Sequence, residues 1–335
     1  MVLDVNLGVN SYKVAIKRGG LNNLNEYFNL NRKVLIVSDD LVPNEYVLCA
    51  LGQIKNGFAF RFEHGEVNKN LLTFEKILST LKDNNFDRTD CILALGGGLT
   101  SDIAGFAASA YMRGIDFYIV PTTLLSAVDA SVGGKVAVNF DGVKNLVGAF
   151  NQPKGVLIDV ETFKTLDKRL LNEGMAEVIK MAATLDKELF EYLEKTDRND
   201  IDYERVIVSS LKLKISVVEK DEKEHGLRKV LNFGHTVGHA IEARANGELL
   251  HGECVAIGML CLSEGSAKQR IKNLLEKYDL PVKSPYSIRE LSDYLLLDKK
   301  NEGDSITICE VKEIGQFELN QITHKELLER LEEAN

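Results

Sequence analysis

Three histidines fall within a short stretch of a chain that has six. His235 and His239 are four apart in Leu231-Asn-Phe-Gly-His-Thr-Val-Gly-His239, which sets both rings on one helical face, and His251 opens His251-Gly-Glu-Cys254. The spacing suits two metal ligands, or one ligand and one proton carrier, although it also occurs in ordinary cores. Upstream, Glu177 and Lys180 are three apart in Glu173-Gly-Met-Ala-Glu-Val-Ile-Lys180 and share a face. That pairing reads as a surface ion pair or, given its neighbours Ala176, Val178 and Ile179, as a buried functional one. Glu177, His235 and His251 together would form a Glu/His/His set with an open fourth position, the coordination of a catalytic zinc. Cys254 is an alternative ligand.

A second group of residues suits an anion. Leu95-Gly-Gly-Gly-Leu-Thr-Ser-Asp102 sits between an apolar run and a helical pattern. Glycines at such a turn let backbone N–H groups approach a phosphate, and the helix start adds partial positive charge; a plain tight turn is the competing reading. Asp102 either binds a cofactor hydroxyl or favours the first helical turn. Pro121-Thr-Thr follows another apolar run and leads to Asp129 and Gly133-Gly-Lys135, which would bring a lysine near an anion or merely cap a helix beside a surface lysine. Lys144-Asn145, flanked by Gly142 and Gly148, reads as a solvated loop. Lys214 and Arg228 lie in a highly charged stretch and matter only if folding brings them to the histidines.

These groups need a scaffold. Lys33–Ser38, Cys91–Leu95, Phe117–Val120 and Gly155–Asp159 read as buried strands, with Tyr12–Ile16 as a further one. Helical patterns over Leu71–Leu81 and Ile103–Tyr111 lie between them, so an α/β layer with a mainly parallel sheet is expected. After about Asp159 helices dominate: Leu170–Thr184, Glu188–Lys195, Tyr203–Glu219, Val230–Ala245, Gly252–Lys268, Ile288–Leu297 and a terminal Lys325–Asn335. Ser305–Cys309 and Gly315–Leu319 read as strands. The expected boundary separates residues 1–159 from 160–335.

The chain has 335 residues, 44% hydrophobic and 27% charged, which argues against disordered and coiled-coil classes. A net charge of −9 disfavours nucleic acid and membrane surfaces as partners. The five cysteines contain no CxxC, so buried, reduced thiols are expected. Met1-Val-Leu-Asp4 lacks the features of a secretory signal and no apolar run is long enough for a membrane span, so a cytoplasmic protein is expected.

Taken in order, these motifs resemble the 3-dehydroquinate synthase family of sugar-phosphate cyclases. The resemblance rests on Gly96-Gly-Gly-x-x-x-Asp102, Tyr111-Met-Arg-Gly114, Pro121-Thr-Thr-Leu-Leu125, Asp129-x-Ser-Val-Gly-Gly-Lys135, Lys144-Asn145, Gly174-x-Ala-Glu-Val-Ile-Lys180, Leu231 to Glu242, His251-Gly-Glu253 and Asp298-Lys-Lys300. It implies a homodimer whose NAD-binding α/β domain precedes a mostly α-helical metal-binding domain. It further implies conversion of 3-deoxy-D-arabino-heptulosonate 7-phosphate to 3-dehydroquinate and phosphate, with NAD regenerated in each turnover. By position, Glu177, His235 and His251 would ligate Zn2+ or Co2+. Asp39, Glu66, Lys69, Gly97, Gly98, Asp102, Thr122, Thr123, Asp129, Lys144, Thr162 and Thr165 would line the NAD site. Arg113, Lys135, Asn145, Lys180, Lys214, Arg228, Asn232, His239 and one of Lys299 and Lys300 would hold substrate, with Arg113 reaching a neighbouring subunit. Lys180, Lys214, Glu224, Arg228, Asn232 and His239 form the catalytic set, Glu224 and His239 matching proton-transfer positions. The chain departs from the family pattern at Leu41, Ser101, Ala127, Val136 and Ala137. The alternatives are another sugar-phosphate cyclase or a metal- and NAD-dependent polyol dehydrogenase.

Overall fold

The computed structural model describes residues 1–295 and 305–334. Backbone packing divides the chain into a unit from Met1 to Asp167 and a unit from Lys168 onward. The division falls after Asp167 rather than near Asp159 because the 3-10 turn Val160–Thr165 belongs to the first unit. Its Glu161 pairs with Arg18 and its Thr165 hydroxyl meets Tyr46.

In the first unit the elements are β1 (Val2–Val5), β2 (Tyr12–Ile16), β3 (Lys33–Asp39), α1 (Asn44–Leu51), β4 (Asn56–Phe62), α2 (Leu71–Asp83), β5 (Cys91–Gly96), α3 (Gly98–Ala110), β6 (Asp116–Pro121), β7 (Lys135–Phe140), β8 (Val143–Phe150) and β9 (Gly155–Ile158). Seven strands form one sheet in the order β1-β2-β9-β6-β5-β3-β4. All pairs are parallel except β1 with β2. Every residue of β5 is buried, as a strand covered on both faces requires. Each large apolar side chain withdrawn there contributes about 1.5–3 kcal/mol. The chain leaves β3 toward the edge strand β4 but leaves β5 the other way, toward β6. That reversal opens a crevice outside the carboxyl ends of β3 and β5, where open α/β sheets take ligands.

The second unit contains α4 (Lys168–Leu185), α5 (Lys187–Lys195), α6 (Tyr203–Val218), α7 (His235–Ala245), α8 (His251–Cys261), α9 (Gly265–Lys277), α10 (Ile288–Leu295), β10 (Ser305–Glu310), β11 (Glu318–Thr323) and α11 (His324–Ala334). The long α4 is buried almost throughout from Asn172 to Thr184 and packs on α5, α6, α8 and α9. No helix among the described residues is long and apolar enough to cross a membrane.

Several expected boundaries move. The pattern expected as one helix over Val230–Ala245 is a 3-10 turn, Leu227–Asn232, followed by α7. Gly234 breaks it with a φ of +79°, and a Cβ there would lie 2.7 Å from the Val255 carbonyl oxygen. The expected helix Gly252–Lys268 is likewise two, because Ser263 leaves the helical path to bridge Val311. The strand expected at Gly315–Leu319 lies at Glu318–Thr323, paired with β10. β1, β4 and the β7–β8 hairpin are additions, and Lys144-Asn145 lies in β8 rather than in a loop.

Candidate functional site

At the crevice of the first unit, Asp39 ends β3 with both carboxylate oxygens engaged. Thr100 Oγ1 donates to one at 2.7 Å and the Leu41 N–H to the other at 3.0 Å. α3 starts directly after β5 with Gly97 as an N-cap that makes no side-chain cap, leaving its first N–H groups for a ligand. A Cβ on Gly96 would fall 2.7 Å from Thr100 Oγ1, and one on Gly97 or Gly98 would press on Thr123 or Ala130. This is a tight, bare-backbone cradle of the kind that admits a pyrophosphate. Thr122 and Thr123 follow β6, and Asp129 lies in the next helical turn, Ser126–Ala130.

A polar chain runs from this cradle into the hairpin. The buried Lys69 ammonium donates to Asp102 Oδ2 and to Asn145 Oδ1, both at 2.5 Å. The Asn145 N–H donates to Asn139 Oδ1, and Asn139 Nδ2 donates to Glu66 Oε1 at 2.8 Å. Burial pushes the Asp102 carboxyl above its ordinary range, with Lys69 working against that shift. Asn145 holds its place with a φ of +55°. Thr162 is buried in the Val160–Thr165 turn, while Arg113, Lys135 and Lys144 are exposed. Met112 and Arg113 both have positive φ, an uncommon backbone for such residues.

In the second unit, Glu177 is fully buried on α4 and ion-paired with the equally buried Lys180. Its Oε1 stands 3.7 Å from His235 Nε2 and 3.7 Å from His251 Nε2, the first residues of α7 and α8. These separations are close to the roughly 3.4 Å between two ligands of a tetrahedral zinc with bonds of about 2.0–2.2 Å. Beyond the Lys180 ion pair, neither Glu177 oxygen accepts a hydrogen bond among the described residues. A buried carboxylate in that condition calls for a cation, so the three side chains fit a metal. Burial pushes the Glu177 carboxyl up, but Lys180 and His251 outweigh it and hold the pKa at about 2. Burial lowers His251, yet the neighbouring carboxylates of Glu177 and Glu242 raise it to about 10. His239 lies one turn beyond His235, its ring perpendicular at 5.2 Å.

Two more polar groups lie at and before the Leu227–Asn232 turn, which packs on α4 and α6. The Asp221 carboxylate accepts the N–H groups of His225, Gly226 and Arg228, which hold its pKa at about 2. That turn presents the buried Arg228, whose Nη1 donates to the Glu222 carbonyl. Asn232 Nδ2 donates to Glu224 Oε1 at 2.6 Å, with Glu224 in left-handed backbone at a φ of +64°. Lys214 is buried on α6, which packs against α4.

Residues 59–173 match the family model for the 3-dehydroquinate synthase N-terminal domain, and residues 174–301 that for its C-terminal domain. The 3-dehydroquinate synthase of Lactococcus lactis subsp. cremoris (strain MG1363) is 41% identical over 354 residues, covering 99% of each chain. The chain belongs to the 3-dehydroquinate synthase family. A crystal structure of 2-deoxy-scyllo-inosose synthase complexed with carbaglucose-6-phosphate, NAD+ and Co2+ superposes with a TM-score of 0.90 at 26% identity over 99% of both chains. The 2-epi-5-epi-valiolone synthase of Streptomyces hygroscopicus subsp. jinggangensis 5008, solved with NAD+ and Zn2+, gives 0.87 at 27% over 96% of both.

Against the family pattern, Val136 is buried, with a methyl so near α3 that a Cβ on Gly105 would lie 2.5 Å from it; its role is packing. Ser101 donates back to the Gly97 carbonyl. Lys299 and Lys300 lie outside the described residues. Sequence reasoning assigns no part to Glu242, which contacts His251, to Glu173, which accepts the Gly252 N–H, or to Asp221. For Glu242 the available signal was its place one turn after His239 on the same helix face.

Proposed function

We propose that this chain converts 3-deoxy-D-arabino-heptulosonate 7-phosphate to 3-dehydroquinate and phosphate by oxidation, phosphate elimination, reduction, ring opening and intramolecular aldol closure. The observation that carries the reading is the meeting of Glu177, His235 and His251 around a buried carboxylate in a chain of this family. When bound, NAD would supply a hydride acceptor restored in each turnover, and Zn2+ or Co2+ would supply Lewis acidity at substrate oxygens.

Glu177, His235 and His251 hold the metal in this reading. Asp39, Gly97, Gly98, Asp102, Thr122, Thr123 and Asp129 hold NAD at the crevice, assisted by Glu66, Lys69, Lys144, Thr162 and Thr165. Substrate carries a carboxylate and a phosphate and therefore needs cations. Lys214 and Arg228 are buried, so their charges act in a poorly screened setting and suit the carboxylate. Lys135, Lys180, Asn145 and Asn232 complete the substrate contacts, with one of Lys299 and Lys300. Glu224, oriented by Asn232, and His239, exposed beside the metal ligands, move protons.

The reading includes a cytoplasmic homodimer in which Arg113 serves the neighbouring subunit. The hairpin leaves Phe140, Val143, Leu146 and Phe150 exposed, an apolar display that a second copy would cover. Monomeric sedimentation at working concentrations would reject the dimer. For the activity, purified protein is incubated with NAD, Zn2+ and the heptulosonate phosphate. Phosphate and 3-dehydroquinate should form without net NADH; stoichiometric NADH, or no phosphate, overturns the reading.

A further inference from the structure

Both proposed histidine ligands turn Nε2 toward Glu177, and each must therefore do something with Nδ1. For His235 the partner is the Phe233 carbonyl oxygen at 3.3 Å, a backbone group two residues away. For His251 it is the carboxylate of Glu242, Oε2, at 3.2 Å, from the last turn of α7. A carboxylate only accepts, so this contact holds a proton on His251 Nδ1, and a metal that displaces the Nε2 proton would find the Nε2 lone pair on the Glu177 side. Glu242 is mostly shielded, with 13% of its side chain exposed. It also stands close to His239, since His239, Glu242 and His251 offer atoms within 4.8 Å of one another.

We propose that Glu242 is a positioning residue that fixes the tautomer and ring orientation of His251 for metal binding. The inference rests on the reading of His251 as a ligand and adds a residue one shell outside it. The carboxylate raises the electron density on the imidazole, and its seat on α7 ties the ligand on α8 to the helix that carries His235. Such outer partners typically change metal affinity by about 10–100-fold when removed.

The test is Zn2+ titration of metal-stripped protein against a competing chromophoric chelator, for the wild type, Glu242→Gln and Glu242→Ala, with melting of each metal-free form alongside. Glu242→Ala should lose about 10–100-fold in Zn2+ affinity. Glu242→Gln, whose amide oxygen can still accept from Nδ1, should lose less. The metal-free melting temperatures should stay near that of the wild type. Wild-type affinity in Glu242→Ala overturns the proposal, as does a loss matched by a lower metal-free melting temperature, which marks a structural role. A shifted pH–rate profile with unchanged Zn2+ affinity also overturns it, because Glu242 then serves His239. Failure of the wild type itself to take up Zn2+ would instead reject the ligand assignment on which the inference stands.

Discussion

Replacing Lys180 by methionine should expose what the buried ion pair does in the metal-free protein. Methionine keeps much of the length and removes the charge, leaving the fully buried Glu177 carboxylate facing His235 and His251. If Glu177 stays ionised, breaking such a pair costs about 3–5 kcal/mol. If it takes a proton instead, the penalty at pH 7 is about 2.5 pH units above an ordinary glutamate, or roughly 3.4 kcal/mol, which caps the loss. His251, raised to about 10 by its carboxylate neighbours, remains charged at pH 7 and keeps part of the attraction. A loss of about 3 kcal/mol follows, or roughly 6–12 °C in melting temperature for a unit of this size. The sign with pH is set by Glu177. Its pKa is held at about 2, below the ordinary value of 4.5. The stabilisation is thus complete above about pH 4.5 and lost as pH falls toward 2. At pH 5 the protonation route costs under about 1 kcal/mol while the wild type keeps its ion pair, so the gap between variant and wild type should be narrower than at pH 7. Saturating Zn2+ should also narrow it at pH 7, because the metal replaces the missing ammonium. Thermal melts at pH 5 and pH 7, with and without Zn2+, decide the matter. A gap that is equal at both pH values and unaffected by Zn2+ would refute the reasoning.

Gly234→Ala combines left-handed backbone with a Cβ placed 2.7 Å from the Val255 carbonyl oxygen. It should destabilise by about 2–5 kcal/mol and weaken Zn2+ binding, read by melting and by metal titration; a fully stable, metal-competent variant would contradict the required contact. Asp221→Ala removes the acceptor of three N–H groups at His225, Gly226 and Arg228. Because its pKa is held near 2, the Asp221 contribution is present above about pH 3.8 and fades below it, so the protection of this turn's amides relative to their intrinsic exchange rates should fall in the wild type only in acid. In the variant exchange should be fast at pH 7, and unchanged protection would refute the assignment.

The strands that carry the crevice are legible because β3, β5 and β6 are buried on both faces and read as continuous apolar runs. The hairpin is not: β8 is exposed at most positions, and Lys144-Asn145 between Gly142 and Gly148 breaks its apolar residues into a pattern that reads as a loop. The break at Gly234 is equally hidden, since its cause is the approach of Val255 from another helix. The Glu/His/His set is visible as residue types, and its distances follow once α4, α7 and α8 meet. What spacing could not say is which neighbour each acid would serve. The Glu177–Lys180 pair follows from their spacing, but Glu242 shares a helix face with His239 yet bonds His251, from the next helix.

Where α7 meets α8, glycine faces main chain on both sides. A Cβ on Gly258 would lie 1.9 Å from the Gly234 carbonyl oxygen, and one on Gly238 would lie 3.1 Å from that of Cys254. No layer of side chains stands between the helices at this point, so no rotamer there can relax or repack. The spacing of the two histidines is referenced directly to touching peptide planes. Substitutions elsewhere in the second unit can therefore lower its melting temperature while leaving ligand geometry intact, so that the accuracy of the centre and the stability of its surroundings become separable properties.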